Sequence, residues 1–149
     1  MVDVSASTVP SAEQTLIATG PATATWQTLI IPGSTSGTAG TTDATPITME
    51  TLPTNTNTNT MYHIVSRIVG RRTDVAGQGG GYTLTADYIN NAGTVSRVGL
   101  VDDIVSNETV PNLTWNVRTV TSGTNILLQV TGALSQTVTW RSSTSTVSV

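Results

Sequence analysis

The stretch Tyr82-Thr83-Leu84-Thr85-Ala86-Asp87-Tyr88-Ile89 alternates apolar and polar residues without a break. A period of two is a strand period, so Tyr82, Leu84, Ala86 and Tyr88 share one side and Thr83, Thr85 and Asp87 the other. The device recurs in both directions. Upstream, Met61 to Arg71 places Tyr62, Ile64 and Ile68 on one face, with His63, Val65, Arg67, Val69 and Arg71 on the other. Gly77 to Gly81 then reads as a flexible turn. Downstream, Asn90-Asn91-Ala92-Gly93 offers residues that tolerate a positive φ, and Thr94 to Val101 returns as the second strand of a hairpin. Leu113, Trp115 and Val117 line a further strand, and Ser122-Gly123-Thr124-Asn125 turns it into Ile126, Leu128 and Val130. After Gly132 to Ser135, Val138 and Trp140 point inward on a last strand whose other face is Thr137, Thr139 and Arg141. No segment shows a helical period. Strands spaced about 8–15 residues apart with polar turns predict an all-β fold, an antiparallel β-sandwich or a jelly-roll-like domain.

The N-terminal part has a different character. Residues 1–60 hold Asp3, Glu13, Asp43 and Glu50 and no basic residue, a net charge of −4. Residues 61–149 hold all six Arg against five acids, a net charge of +1. Seventeen of the 31 Thr lie in the first 60 residues, ending in the run Thr54-Asn55-Thr56-Asn57-Thr58-Asn59-Thr60. That run and Gly33 to Thr42 have little to bury and read as loop or extended connection. Between them, Ala22 to Ile31 (Trp26, Leu29, Ile30, Ile31) and Pro46 to Leu52 are strand candidates, the latter with Ile47, Met49 and Thr51 on one face. The expected division is an extended Thr/Ser/Gly-rich arm over 1–42 and a β-sandwich over 43–149.

Composition removes several functions. The 149 residues suffice for one domain, and only 10% are charged, against about 25% in an ordinary soluble domain. Six Arg against nine acids cannot form the basic field that nucleic acid requires. With no Cys, thiolate–metal sites, iron–sulfur clusters and disulfides are absent. No apolar run approaches the roughly 20 residues of a membrane span, and Met1 to Gln14 lacks the basic and apolar regions of a signal peptide.

Catalytic readings lack parts. His63 is the lone imidazole, and general-base work needs a positioned partner. Asp102-Asp103 is the only adjacent carboxylate pair; neighbouring strand residues point to opposite faces, so a surface turn is expected, with weak Ca²⁺ binding as the alternative. No cofactor or metal site is expected. The glycosylation patterns at Asn107 and Asn112 are chance matches in a chain so rich in Asn and Thr. Trp115, Trp140, Tyr82 and Tyr88 fall on inward faces, whereas Trp26 lies outside the strong pattern and is the candidate contact to a partner or glycan. Arg71-Arg72-Thr73-Asp74 at a strand end suits an Arg–Asp pair across a turn or a subunit boundary.

Three groups of residues, in this order, carry a resemblance: Ile68-Val69-Gly70-Arg71-Arg72-Thr73-Asp74 with Gly81-Tyr82-Thr83-Leu84; Ala92-Gly93-Thr94-Val95-Ser96-Arg97-Val98-Gly99; and Trp115-Asn116-Val117, Leu128-Gln129-Val130-Thr131-Gly132-Ala133 and Val138-Thr139-Trp140. Over roughly residues 43–149 the chain resembles the β-rich domain of short-fibre and other external structural proteins of tailed bacteriophages. The resemblance implies a non-catalytic all-β domain displayed on a virion, commonly as a homotrimer. It casts Arg71, Arg72, Asp74, Trp115 and Trp140 as fold and assembly elements. The function expected from it is a capsid decoration (cement) or head-fibre protein, with residues 1–42 as a docking arm. Its partners would be further copies of itself and the major capsid protein or tail and fibre components. The alternative is a receptor-binding adhesin module at a tail-fibre tip, recognising bacterial surface glycan. Neither involves nucleic acid or membrane.

Overall fold

The computed structural model describes residues 14–20, 23–28, 33–54, 59–109 and 114–149. The chain divides into two compact units, Met1–Ile31 and Pro32–Val149. In the first, β1 (Gln14–Gly20) and β2 (Thr23–Thr28) form an antiparallel hairpin with Leu16 opposite Trp26. The surroundings of the Trp26 side chain, and residues 1–13, 21–22 and 29–32 of the expected arm, lie outside the described residues.

The second unit is all-β, with no helix among the described residues. Its strands are β3 (Gly33–Thr41), β4 (Ile47–Pro53), β5 (Thr60–Arg72), β6 (Gly79–Asn91), β7 (Thr94–Glu108), β8 (Asn116–Ser122), β9 (Asn125–Thr131) and β10 (Val138–Ser148). They make a five-stranded sheet, β3-β10-β5-β6-β7, and a three-stranded sheet, β4-β9-β8, with every pairing antiparallel. The apolar faces of both sheets meet in one cluster, as a sandwich requires. Ile64, Leu84, Tyr88, Leu128, Val130, Val138 and Trp140 are fully enclosed, each contributing about 1.5–3 kcal/mol by burial. Trp140 stacks edge-on against Trp115 with centroids 5.1 Å apart and lies 6.0 Å from Tyr82. Its ring fits because residue 70 is glycine: a Cβ there would come within 2.6 Å of the indole.

Several segments depart from the sequence reading, each for a stated physical reason. Gly33–Thr41, expected within the arm, is a sheet strand that pairs with β10 along its whole length. Its small residues suit that place, since a Cβ at Gly37 would lie 2.5 Å from Glu50 and 2.6 Å from the Met49 carbonyl. Scarcity of apolar bulk suggested a loop; here it permits close approach of β4 instead.

In β4, a bulge between Thr48 and Glu50 shifts the alternation, so Met49 and Glu50 are both buried and Thr51 is exposed. Gly79–Gly81, read as turn, opens β6; the left-handed conformation belongs to Gly77 at φ 77°. Strand β7 runs to Glu108, interrupted where Asp87 faces Val98 and Thr85 faces Asp103, so that 99–102 bulge out opposite Ala86. Gly99, at φ 92°, makes that bulge possible. The β6–β7 hairpin turn falls on Ala92 (φ 50°) and Gly93 (φ 92°). Asn90 is buried instead, its amide oxygen accepting the Gly93 N–H at 2.8 Å and its amide nitrogen donating to Thr54 at 2.9 Å.

Candidate functional site

Charge on the inner side of the five-stranded sheet is fully answered. Glu50, 6% exposed, accepts the Thr35 hydroxyl at 2.5 Å on one oxygen and those of Thr144 (3.0 Å) and Ser142 on the other. Because Thr144 donates to Glu50, Ser66 must donate to Thr144 across their 2.9 Å contact. Ser142 in turn accepts the Gly37 N–H at 3.1 Å. This network ties β4 of the smaller sheet to β3, β10 and β5 of the larger.

A second tie joins β7 to β8. The Asp102 side chain, only 4% exposed, pairs with Arg97 at 2.9 Å. It also accepts the Thr119 N–H and hydroxyl, both at 2.6 Å. Arg97 donates to the Tyr88 hydroxyl at 2.9 Å and to the Thr119 carbonyl, and lies 5.5 Å over the Tyr88 ring. Tyr88 donates to Thr119 at 2.8 Å, completing the link. Asp102 is therefore an internal ion-pair partner rather than part of a surface turn: the bulge swings its carboxylate back under the sheet. Asp103, by contrast, points outward and is exposed.

Other polar groups serve the fold. Arg72 makes a two-pronged contact with Asp74 (3.0 and 2.5 Å) across the β5–β6 turn and also donates to Gln78 at 2.8 Å. The guanidinium holds the Asp74 carboxyl down to about 2, below the usual carboxylate range. Tyr82 donates to Glu108 at 2.6 Å, and burial followed by that bond pushes its phenol well above the ordinary value. Trp140 donates to Thr41 at 3.0 Å and Trp115 to Gln136 at 2.8 Å. His63 does have a partner that sequence reasoning missed: Asp87, directly opposite on β6, at 2.7 Å. Both side chains are substantially exposed, the usual setting of a weak surface pair.

The outer face of the five-stranded sheet is organised differently, with two unlike ends. At one end, Met61 and Ile89 are cross-strand partners, and Val147, His63, Asp87 and Val98 form the next row. The nearby bulge carries Leu100 and Val101, 97% and 79% exposed. At the other end, Arg67, Val69 and Arg71 alternate on β5, and Arg141 on β10 stands beside Val69. Gly81 and Gly79 of β6 pair with Val69 and Arg71, leaving a trough without side chains. Arg67, Arg71 and Arg141 make no ion pair among the described residues. Arg71, Arg72 and Asp74 thus separate: the last two close a turn, while Arg71 faces out.

Among the described residues no group of three His, Cys, Asp or Glu is placed to hold a metal, and no helix is long and apolar enough to cross a membrane. No family model and no curated protein matches the chain. Two similar solved structures are phage tailspikes. The crystal structure of the Acinetobacter baumannii phage AM24 tailspike protein gives a TM-score of 0.36 at 10% identity, over 76% of this chain and 26% of that one. The crystal structure of the Acinetobacter phage vB_ApiP_P1 tailspike protein gives 0.30 at 14% identity, over 78% of this chain and 22% of that one. The chain spans about a quarter of the length of these tailspikes.

Proposed function

We propose that this chain is a non-enzymatic structural protein on the outer surface of a tailed-phage virion, as a capsid decoration or head-fibre protein that assembles with copies of itself. The observation that carries this reading is the apolar end of the outer face. Met61, Ile89, Val98, Leu100, Val101 and Val147 are exposed together on and beside one end of the five-stranded sheet. Exposed apolar side chains gathered at one end of a sheet around a single polar pair, His63–Asp87, suit an interaction site, and a homotrimer contact would cover them. The sequence resemblance to external phage proteins supports the same reading. The carboxylates Glu50, Asp74, Asp102 and Glu108 are all engaged in holding strands and turns, which suits a display scaffold.

Immunogold electron microscopy of intact particles, with antibody raised against residues 61–149, tests it. Gold in a regular array over the head is expected. Particles that carry the protein nowhere on their surface would overturn the proposal.

Gold at the tail tip would select the second reading, a receptor-binding adhesin module, which the unpaired arginines at the other end of the face favour. Removing residues 1–31 separates the two further, because a cut at 42 would also delete β3 from the sheet. A decoration protein docked by its N-terminal segment should lose particle binding, whereas a tip module should still bind host cells.

A further inference from the structure

We propose that the arginine end of the outer face is a binding site for an anionic polysaccharide bearing carboxylates. The inference rests on the outward display proposed above, which leaves this face open. Arg67 and Arg71 are four residues apart on one face of β5, about 13 Å along the strand. Arg141 lies one strand over, in register with Val69 midway between them. Each neighbouring pair of cations is therefore separated by roughly 8 Å at the backbone. Like charges so close on a sheet repel, and no carboxylate among the described residues answers them. Three guanidinium groups without ion-pair partners among the described residues present a fork geometry suited to carboxylates.

The surroundings select the kind of anion. Val69, 59% exposed, is an apolar platform between Arg67 and Arg71 and beside Arg141, fit for the C–H face of a sugar ring. The Gly79–Gly81 trough lets a flat chain approach the β6 backbone. Thr83, Thr139, Ser143 and Asn107 ring the arginines on the same face. Hydroxyl and amide groups both donate and accept, as a polyhydroxylated ligand requires. Nucleic acid is disfavoured by the chain as a whole, whose six Arg against nine acids supply no extended basic field beyond this one cluster. An acidic protein remains the competing occupant, and the test distinguishes it.

The full chain is titrated with polygalacturonate, with fully methyl-esterified polygalacturonate, which has the same backbone without the charge, and with poly-L-glutamate. Polygalacturonate should bind and weaken with added salt, the esterified polymer should not bind, and poly-L-glutamate should bind at least about tenfold more weakly. Arg71→Gln and Arg141→Gln should each reduce polygalacturonate affinity by about tenfold or more. Arg118→Gln, whose hydrogen bonds among the described residues go to Gln129 on the smaller sheet, should leave it unchanged.

Equal binding of poly-L-glutamate would overturn the saccharide assignment in favour of an acidic protein. Absence of polygalacturonate binding, or full affinity in Arg141→Gln, would overturn the site. A changed oligomeric state in the arginine variants, without polymer binding, would reassign the face to contact between copies. Protein displayed on particles but unable to bind the polymer would refute this site and leave the structural role standing. Protein that binds the polymer yet is absent from particles would do the reverse.

Discussion

The two faces of the five-stranded sheet use charge in opposite ways. On the inner side and at its margins, Glu50 and Asp102 are saturated: each carboxylate is met by hydroxyls, a backbone N–H or an arginine that also bridges the two sheets. On the outer side, Arg67, Arg71 and Arg141 stand together with no opposing carboxylate among the described residues. A buried carboxylate must be answered or the fold loses stability; an exposed cation can wait for an external partner. The contrast separates residues that hold the sandwich from residues available to act on something else.

The largest expected effect falls on the inner side. Asp102→Ala leaves Arg97 half-buried without its counter-ion and strips the Thr119 N–H of its acceptor, so denaturant unfolding should show a loss of about 3–5 kcal/mol. A loss below 1 kcal/mol would show that the tie is incidental. Glu50→Gln keeps the shape but replaces an acceptor oxygen by a donor facing hydroxyl protons; roughly 1–3 kcal/mol should be lost, measured in the same way.

On the outer side, Leu100→Ser should change unfolding free energy by no more than about 0.5 kcal/mol, because the side chain is already in water. The same variant should weaken self-association in sedimentation measurements. A stability loss without change in association would place Leu100 inside the fold and contradict the contrast. The smallest effect is pH-dependent and sits at the turn. The Asp74 carboxyl is held at about 2 by Arg72, against about 3.9 in an unfolded chain. Its contribution is present above pH 4 and is lost as pH falls through 2, so stability measured down that range should fall less steeply in Asp74→Asn.

Much of the inner face was legible in the sequence because period-two alternation is a local property. Tyr62, Ile64, Ile68, Tyr82, Leu84, Tyr88, Val117, Ile126, Leu128 and Trp140 all point where alternation sends them. The bulges in β4 and β7 were not legible, since one extra residue at Met49, or three extra where 99–102 face Ala86 alone, changes phase without changing composition. That is why Glu50 and Asp102, which look like surface acids, turn inward. Strand β3 was missed for a different reason: a Gly, Ser and Thr run shows no apolar pattern, and its place is defined by a partner about a hundred residues away.

The arginine cluster was half legible. The alternation puts Arg67 and Arg71 on the polar face of one strand and Arg141 on the polar face of another. Their assembly into one group depends on β10 lying beside β5, a long-range pairing that no local signal encodes.

The most direct test of the contrast is thermal unfolding of the chain carrying Arg67→Gln, Arg71→Gln and Arg141→Gln together. If the three cations have no part in holding the sandwich, removing their mutual repulsion should leave the midpoint within about 2 °C of the parent or raise it. A midpoint lowered by several degrees would show that they are held by the fold, and that the outer face, like the inner one, spends its charge on structure.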